Sequence, residues 1–341
     1  MKTWKKAGLT ALAGSLVATS AFAGAMTVSG SANIAYTGNT GAQDSGSAAA
    51  TINGQDGARW GMAKTISFAG SGEMDNGWTV SLGTTFSDAG PSAVGVTLDM
   101  GDAGTLDYEG GTSQRGAGKI KDMMPTADED VGNGLDSNGT ASGGELSGTI
   151  TGGAQGFHYS KAMDMVEIGI GYAPSGGKGT TNGATSGPGA SASTTSAYIK
   201  VDPMDGLEIG FGVGEKAQAA SGDSSKTDDM DTLYATYVYG PLTLGYQVSN
   251  IDTNDSDVAT ADDEQTRWAV LYAVNDELSI SYQDHENDDS TTAVDEEATG
   301  VSMSYTVGSM TFKAHRNKGT ILGNATTRES EHTEIGVTFA F

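Results

Sequence analysis

Three features predict an all-β chain folded as an antiparallel up-and-down barrel of about 16 strands: period-two alternation in short segments, connections that alternate between short and long, and a last strand ending on an aromatic residue, Phe341. The alternation is clearest in the second half. Leu242, Leu244, Tyr246 and Val248 alternate with Thr243, Gly245, Gln247 and Ser249. Leu207, Ile209, Phe211 and Val213 alternate with Glu208, Gly210, Gly212 and Gly214. Val301, Met303, Tyr305 and Val307 alternate with Ser302, Ser304 and Thr306, and Trp268, Val270, Tyr272 and Val274 repeat the pattern.

Taken from the N-terminus, the first residues read as an address. Lys2, Lys5 and Lys6 precede an apolar stretch over 7–18 and a small-x-small site, Ala21-Phe22-Ala23. A signal peptide over 1–23 is therefore expected, with a single barrel domain over 24–341. The apolar stretch is short of the roughly 20 residues that a membrane-spanning helix needs. No later window supplies such a helix.

Strands are expected at 26–36, 59–68, 77–86, 93–99, 105–109, 155–161, 166–172, 196–201, 207–213, 232–239, 242–249, 265–274, 278–283, 299–307, 310–316 and 331–341. Their connections fall into two kinds. Turn-like ones lie at 71–76, 100–104, 162–165, 202–206, 240–241, 275–277 and 308–309. Long ones, rich in Gly, Ser, Thr, Asn and Asp, lie at 37–58, 110–154, 173–195, 215–231, 250–264, 284–298 and 317–330. Only 87–92 is intermediate. Hairpins in series, with one tight rim and one extended rim, produce this order, and an even strand number puts both termini on one side.

Alternation is shared by soluble sandwiches and membrane barrels, so the sidedness has to come from elsewhere. Aromatics stand near strand ends at Trp60, Phe68, Trp78, Phe86, Tyr172, Tyr239, Trp268, Tyr282, Phe339 and Phe341, as interfacial girdles require. The other strand face is mostly Gly, Ser and Thr, which a water-filled lumen tolerates. The long loops carry too little apolar surface to build a soluble core between sheets. In lipid every backbone polar group needs an internal partner, so the first strand must pair with the last. About sixteen strands enclose an aqueous channel.

Composition narrows the function. With 18 basic residues against 43 acidic, the formal charge is −25, and loss of the three leader lysines makes it more negative. That argues against nucleic-acid partners. The chain has no cysteine, which excludes disulfides, thiolate metal sites and cysteine nucleophiles. Glycine, 51 of 341 residues, is about twice its usual share of roughly 7%.

The last strand carries Ile335, Val337, Phe339 and the terminal Phe341 in alternation. It resembles the assembly-signal strand of outer-membrane porins, with Phe339 and Phe341 in the signal positions. With the leader and the strand count, the chain resembles the Gram-negative general porins, and within them the alphaproteobacterial branch. The resemblance implies a homotrimer in the outer membrane, contacts with membrane lipid and lipopolysaccharide, and assembly through the barrel-assembly machinery. It also implies a long third loop folded into the lumen, matched here by 110–154. In that family acidic loop residues face basic residues of the opposite wall across a constriction. The corresponding candidates are Arg115, Lys119, Lys121, Asp122 and the run Asp128-Glu129-Asp130 on the loop, with Arg59 on the second strand. The enterobacterial loop motif Pro-Glu-Phe-Gly-Gly is missing.

Side-chain parity places Asp99, Asp107, Glu109, Glu167, Lys200, Glu208, Arg267, Lys313 and Glu334 on the lumen wall, with Arg267 and Lys313 away from the waist. It points Lys64 outward, as a trimer interface would allow. No catalytic residues are expected, and no P-loop is present at Gly177-Lys178. Asp284-His285 resembles the Asp/His pairs of outer-membrane proteases, but those barrels are much narrower and such a pair in a polar loop is usually incidental; His158 and Ser160 share a strand face with no third partner. No resident metal or cofactor is expected, although acidic loop clusters such as Asp252, Asp255 and Asp257, or Glu286, Asp288 and Asp289, leave room for loosely held Ca2+ or Mg2+. The function expected is passive diffusion of small hydrophilic solutes and ions, with a cation preference. A substrate-specific channel and a structural or adhesive surface barrel are the alternatives.

Overall fold

In a computed structural model of the chain, residues 26–41, 57–87, 90–110, 115–135, 156–174, 193–217, 227–253, 262–289, 296–323 and 326–341 are described. The leader expected over 1–23 lies outside these residues, as do 111–114 and 136–155 of the third loop and most of the other long loops.

Sixteen strands close into one barrel: β1 (Met26–Gly41), β2 (Gly57–Glu73), β3 (Thr79–Ser87), β4 (Gly90–Asp99), β5 (Thr105–Gly110), β6 (Gly156–Met163), β7 (Val166–Ala173), β8 (Thr194–Met204), β9 (Leu207–Ala217), β10 (Thr227–Tyr239), β11 (Leu242–Thr253), β12 (Asp262–Ala273), β13 (Leu278–Asp289), β14 (Glu296–Val307), β15 (Met310–Gly323) and β16 (Thr326–Ala340). Each strand pairs antiparallel with its neighbours in sequence, and β1 pairs with β16. The closure is completed by Phe341, whose N–H donates to Gly30 O at 2.9 Å while Gly30 N–H donates to Phe341 O at 2.8 Å. A Cβ on Gly30 would lie 2.6 Å from the Phe341 ring, so the terminal aromatic is seated on a glycine.

The polarity of the wall is inverted relative to a water-soluble protein. Ile34, Met62, Leu82, Ile170, Leu233, Leu244, Val301 and Ile335 are exposed on the outer face, whereas Thr232, Gln247, Gln265, Gln283, Asn287 and Asn317 are buried on the inner one. Lipid is as apolar as these outward side chains, and inward Thr232, Gln247, Gln283 and Asn317 find polar partners. The girdle aromatics Trp60, Phe68, Phe86, Tyr172, Tyr239, Trp268, Phe339 and Phe341 are all exposed outward.

The tight rim is made of short turns. Gly240 (φ 59°) and Gly308 (φ 61°) each open a two-residue connection in the left-handed region that matches strand twist. On the opposite rim, the connection between β3 and β4 spans only 88–89, where one of intermediate length was expected. Strand ends are the main departure from the sequence reading. β3 begins at Thr79, which leaves Gly77 and Trp78 in the turn. β13 runs on through Asp284, His285, Glu286, Asp288 and Asp289, so these lie on a strand rather than in a loop. β11 likewise includes Asp252.

Candidate pore constriction

The segment 115–135, which follows β5 after an interval outside the described residues, lies inside the barrel along the wall from β6 to β16. It starts with a 3₁₀ turn, Gly116–Ile120, and has tight backbone bonds at its other end, such as Asn133 N–H to Asp130 O at 3.0 Å. So irregular a chain is tolerated at membrane depth only where protein or lumen water meets its polar groups. The wall supplies those partners along the length of the segment.

Gly116 N–H donates to His158 Nδ1 at 3.1 Å on β6, and Ala117 N–H to Ser196 Oγ at 3.2 Å on β8. Gln247 on β11 grips the middle: its Nε2 donates to Ile120 O at 2.9 Å and Lys121 O at 3.2 Å, and its Oε1 accepts from Met123 N–H at 3.1 Å. Further on, Ala127 N–H donates to Ser281 Oγ (3.0 Å), Asp128 N–H to Ser302 Oγ (3.1 Å) and Val131 N–H to Gln283 Oε1 (2.8 Å). Asn317 Nδ2 on β15 closes the series on Asp130 O and Asn133 O, at 3.0 and 2.9 Å. Every one of these wall groups is on the inner face.

Glycines make room for the segment. A Cβ at Gly171 would meet Gly116 N and the Arg115 side chain, one at Gly212 would meet Ala117 and Ile120, and one at Gly245 would meet Pro125 and Met124. At Gly300 and Gly319 the occupants are Val131 and Leu135. Gly134 (φ 75°) in turn presses its bare Cα against the His332 ring. Apolar packing follows the same seam. Among the described residues each buried apolar cluster contains a loop residue: Ala117 with Met230 and Ile251; Val131 and Leu135 with Ala298; Ile120 with Tyr198 and Tyr234.

The charged candidates divide by this geometry. Asp128 faces the wall, with Lys313 Nζ 2.5 Å from Oδ1 and His315 Nδ1 2.9 Å from Oδ2. Burial alone would raise its pKa. The hydrogen bonds and charges of His315 and Lys313 outweigh that and hold the carboxyl below its ordinary range. Asp122 is 3.4 Å from Arg267 Nη1 on β12. Arg267 and Lys313, expected away from the waist, are thus the residues that meet the loop's acids. Arg115 and Lys121 are buried against the wall, with Arg115 only 2% exposed. Lys119 and Glu129 stand on the exposed side of the segment, and Glu129 Oε2 accepts from Asn133 Nδ2 at 3.0 Å. Asp130 is half-buried.

On the wall itself, Lys200 pairs with Glu167 at 3.0 Å. Two tyrosines that sequence reasoning missed lie under the loop. Tyr198 packs over Gly169 and donates to Glu167 Oε1 at 2.5 Å; Tyr234 packs over Gly210 and donates to Glu208 Oε1 at 2.6 Å. The repeated Glu-Ile-Gly of β7 and β9, each followed on the next strand by a tyrosine of inward parity, was the available signal. Asp107 accepts from Thr97 Oγ1 at 2.5 Å, and Asp99 from Gly101 N–H at 2.9 Å in the β4–β5 turn. Glu334 is half-buried on β16. Arg59 is exposed at the long-loop end of β2, paired in register with Thr37, and Lys64 is exposed on the lipid face beside Met62 and Ile66. Glu109 lies on β5; its side chain is outside the described residues.

A closed sixteen-strand barrel with a loop laid along its inner wall is an architecture for a water-filled channel. A family model for Gram-negative porins matches residues 8–280. The chain belongs to the Gram-negative porin family. Solved porins share its fold. One refined at 1.8 Å resolution is 14% identical, with 93% of this chain and 100% of that one covered and a TM-score of 0.66. An anion-selective porin from Comamonas acidovorans is 13% identical, covering 93% and 99%, with a TM-score of 0.65. OmpT of Vibrio cholerae is 14% identical, covering 96% and 100%, also at 0.65. No curated protein matches the chain significantly. The porin is an outer-membrane channel for passive diffusion, and the family is known for conduction rather than catalysis.

Proposed function

We propose that this porin passes small hydrophilic solutes with a preference for cations, and that the segment 115–135 forms its constriction. The observation that carries the reading is the pairing of the lumen bases. Lys200, Arg267 and Lys313 are each held by an acid, Glu167, Asp122 and Asp128. Their positive charge is thereby offset, while Asp99, Asp107, Glu208 and Glu334 remain on inward parity and Glu129 stands on the exposed side of the loop. A ring of like charge raises the local concentration of counter-ions in a pore. The anion-selective relative has the same fold, so the sign of selectivity resides in such side chains and not in the barrel.

Arg59, at the long-loop end, and Lys119 are the bases that face this acidic inventory. Asp130 lies beside Glu129 and adds to the negative rim of the loop. The pore is a homotrimer in this reading, supported by a trimeric form of Vibrio cholerae OmpT with the same fold and by the outward Lys64 on β2, a position that lipid disfavours and a subunit interface accommodates. A leader ending at Ala23 carries the chain to the outer membrane, where lipopolysaccharide borders the barrel, and the β16 strand ending in Phe341 addresses the assembly machinery. Mg2+ or Ca2+ is held loosely at acidic clusters such as Glu286, Asp288 and Asp289 at the end of β13.

Reversal potentials across planar bilayers in a salt gradient provide the test. Cation preference is expected near 0.1 M salt and is expected to fade towards 1 M, where the screening length drops from about 10 Å to about 3 Å. Glu129→Gln lowers it and Lys119→Gln raises it; anion selectivity at low salt would overturn the reading.

A further inference from the structure

The inner wall beside the end of the loop holds a cluster of two histidines and a carboxylate. His315 on β15 and His332 and Glu334 on β16 each bring one donor atom to within 4.8 Å of the other two. The two imidazoles are stacked, with centroids 5.1 Å apart and planes 28° from parallel. Both are buried, and both use only one nitrogen. His315 Nδ1 is bonded to Asp128 Oδ2 at 2.9 Å, and His332 Nδ1 to Asn39 Oδ1 at 2.5 Å. The carboxylate of Asp128 and the carbonyl oxygen of Asn39 accept, so Nδ1 of each ring donates. The second nitrogen, Nε2, then offers a lone pair. In both rings Nε2 is buried without a hydrogen-bond partner.

A buried polar atom without a partner is costly, and two side by side call for a shared cause. Metal-ligating histidines characteristically donate their other ring N–H to a carboxylate or carbonyl, which fixes the tautomer and turns the free lone pair towards the ion. His315 with Asp128, and His332 with Asn39, have that arrangement before any ion is present. Glu334 contributes an oxygen of the kind that completes a two-histidine, one-carboxylate set.

We propose that His315, His332 and Glu334 form a binding site for a divalent transition-metal ion of the Zn2+ class, with a fourth position left to lumen water. Ligands at about 2.0–2.1 Å from zinc stand roughly 3.3 Å apart in a tetrahedron, so modest side-chain rotations close the set. Imidazole nitrogen selects Zn2+, Cu2+ or Ni2+ over the hard cations Mg2+ and Ca2+, which take oxygen ligands. The site is therefore distinct in chemistry from the acidic loops. Its place against Gly134 puts a bound ion at the point where the loop rests on β16, and the added positive charge opposes cation flow there.

The test is calorimetric titration of ZnCl2 into the folded full chain in detergent, with excess MgCl2 present to occupy the acidic loops. One Zn2+ per chain is expected, bound at least tenfold more tightly than in His315→Gln, His332→Gln or Glu334→Gln. Glu334→Gln is nearly isosteric at a half-buried position, so it separates lost ligation from lost folding. X-ray absorption of the wild-type complex is expected to show two imidazole nitrogens in the zinc shell. No zinc uptake in excess Mg2+, affinity unchanged in all three variants, or an all-oxygen shell would each overturn the site. None of these outcomes bears on the selectivity of the pore, which is read without zinc.

Discussion

Asp128 Oδ1 and Lys313 Nζ lie 2.5 Å apart, joining the acidic run of the loop to β15 by a pair in which the carboxylate side chain is only 3% exposed. The relationship changes what the acidic run does. Its first member is turned to the wall and tethers the loop; its second, Glu129, is the one presented to the channel. Removing one partner of such a sheltered pair leaves the other charge uncompensated, at a cost of about 3–5 kcal/mol for a fully buried pair and less where Lys313 reaches water. Asp128→Asn is therefore expected to cut hydrogen-exchange protection across 115–135 and to leave the strands protected. Equal loss in β9–β12 would show that the pair supports the barrel and not the loop.

The same tether has a defined acid limit. The folded Asp128 carboxyl titrates below its unfolded value of 3.8. A group with a depressed folded pKa contributes stability above the unfolded value and loses it as pH falls through the folded one. Limited proteolysis of the loop should be unchanged from pH 7 down to about pH 4 and rise below it. A rise that starts near pH 6 would assign the tether to another group.

Gly245 lies where a Cβ would run into Pro125 and Met124. Gly245→Val is expected to lift the middle of the segment off β11 and strain the three bonds made by Gln247 to loop backbone. Overpacking of this kind typically costs about 1–3 kcal/mol. The barrel should still fold, and single-channel conductance should fall as the loop moves towards the axis. Conductance equal to wild type would mean that the segment does not set the narrowest part of the pore.

Gly30 and Phe341 close the barrel, and a side chain on Gly30 meets the terminal ring. Gly30→Val is expected to displace that ring and weaken the β1–β16 seam by a similar amount, about 1–3 kcal/mol. Refolding into detergent, followed as the heat-sensitive mobility shift of the folded barrel, should show a lower folded yield. Gly38→Ala, where a Cβ meets nothing within 4 Å, serves as the comparison and should refold like wild type.

Strand ends show where the sequence loses its signal. In β13 the alternation Leu278, Ile280, Tyr282 is legible because lipid demands an apolar outer face there. Beyond it, Asp284-His285-Glu286-Asn287-Asp288-Asp289 continues the same ladder with polar residues on both faces. Outside the lipid both faces meet water or polar neighbours, so the period-two signal vanishes while the backbone pairing persists. Charged parity was legible for Lys200, Arg267 and Lys313, yet their partners were not, because each partner arrives from another strand or from the loop. The glycines under the loop were visible only as an excess of small residues, since a missing side chain carries no mark of what will occupy its place.

The sequence by itself determined which face of each strand meets lipid and that the first strand must join the last, because a bilayer admits neither outward polar groups nor an open edge. Only the tertiary structure decided that Asp128 faces β15, that Gln247 grips the loop and that His315 stands beside His332. Those contacts depend on barrel register and on a loop crossing eleven strands, β6 to β16, and no local pattern of residues encodes either.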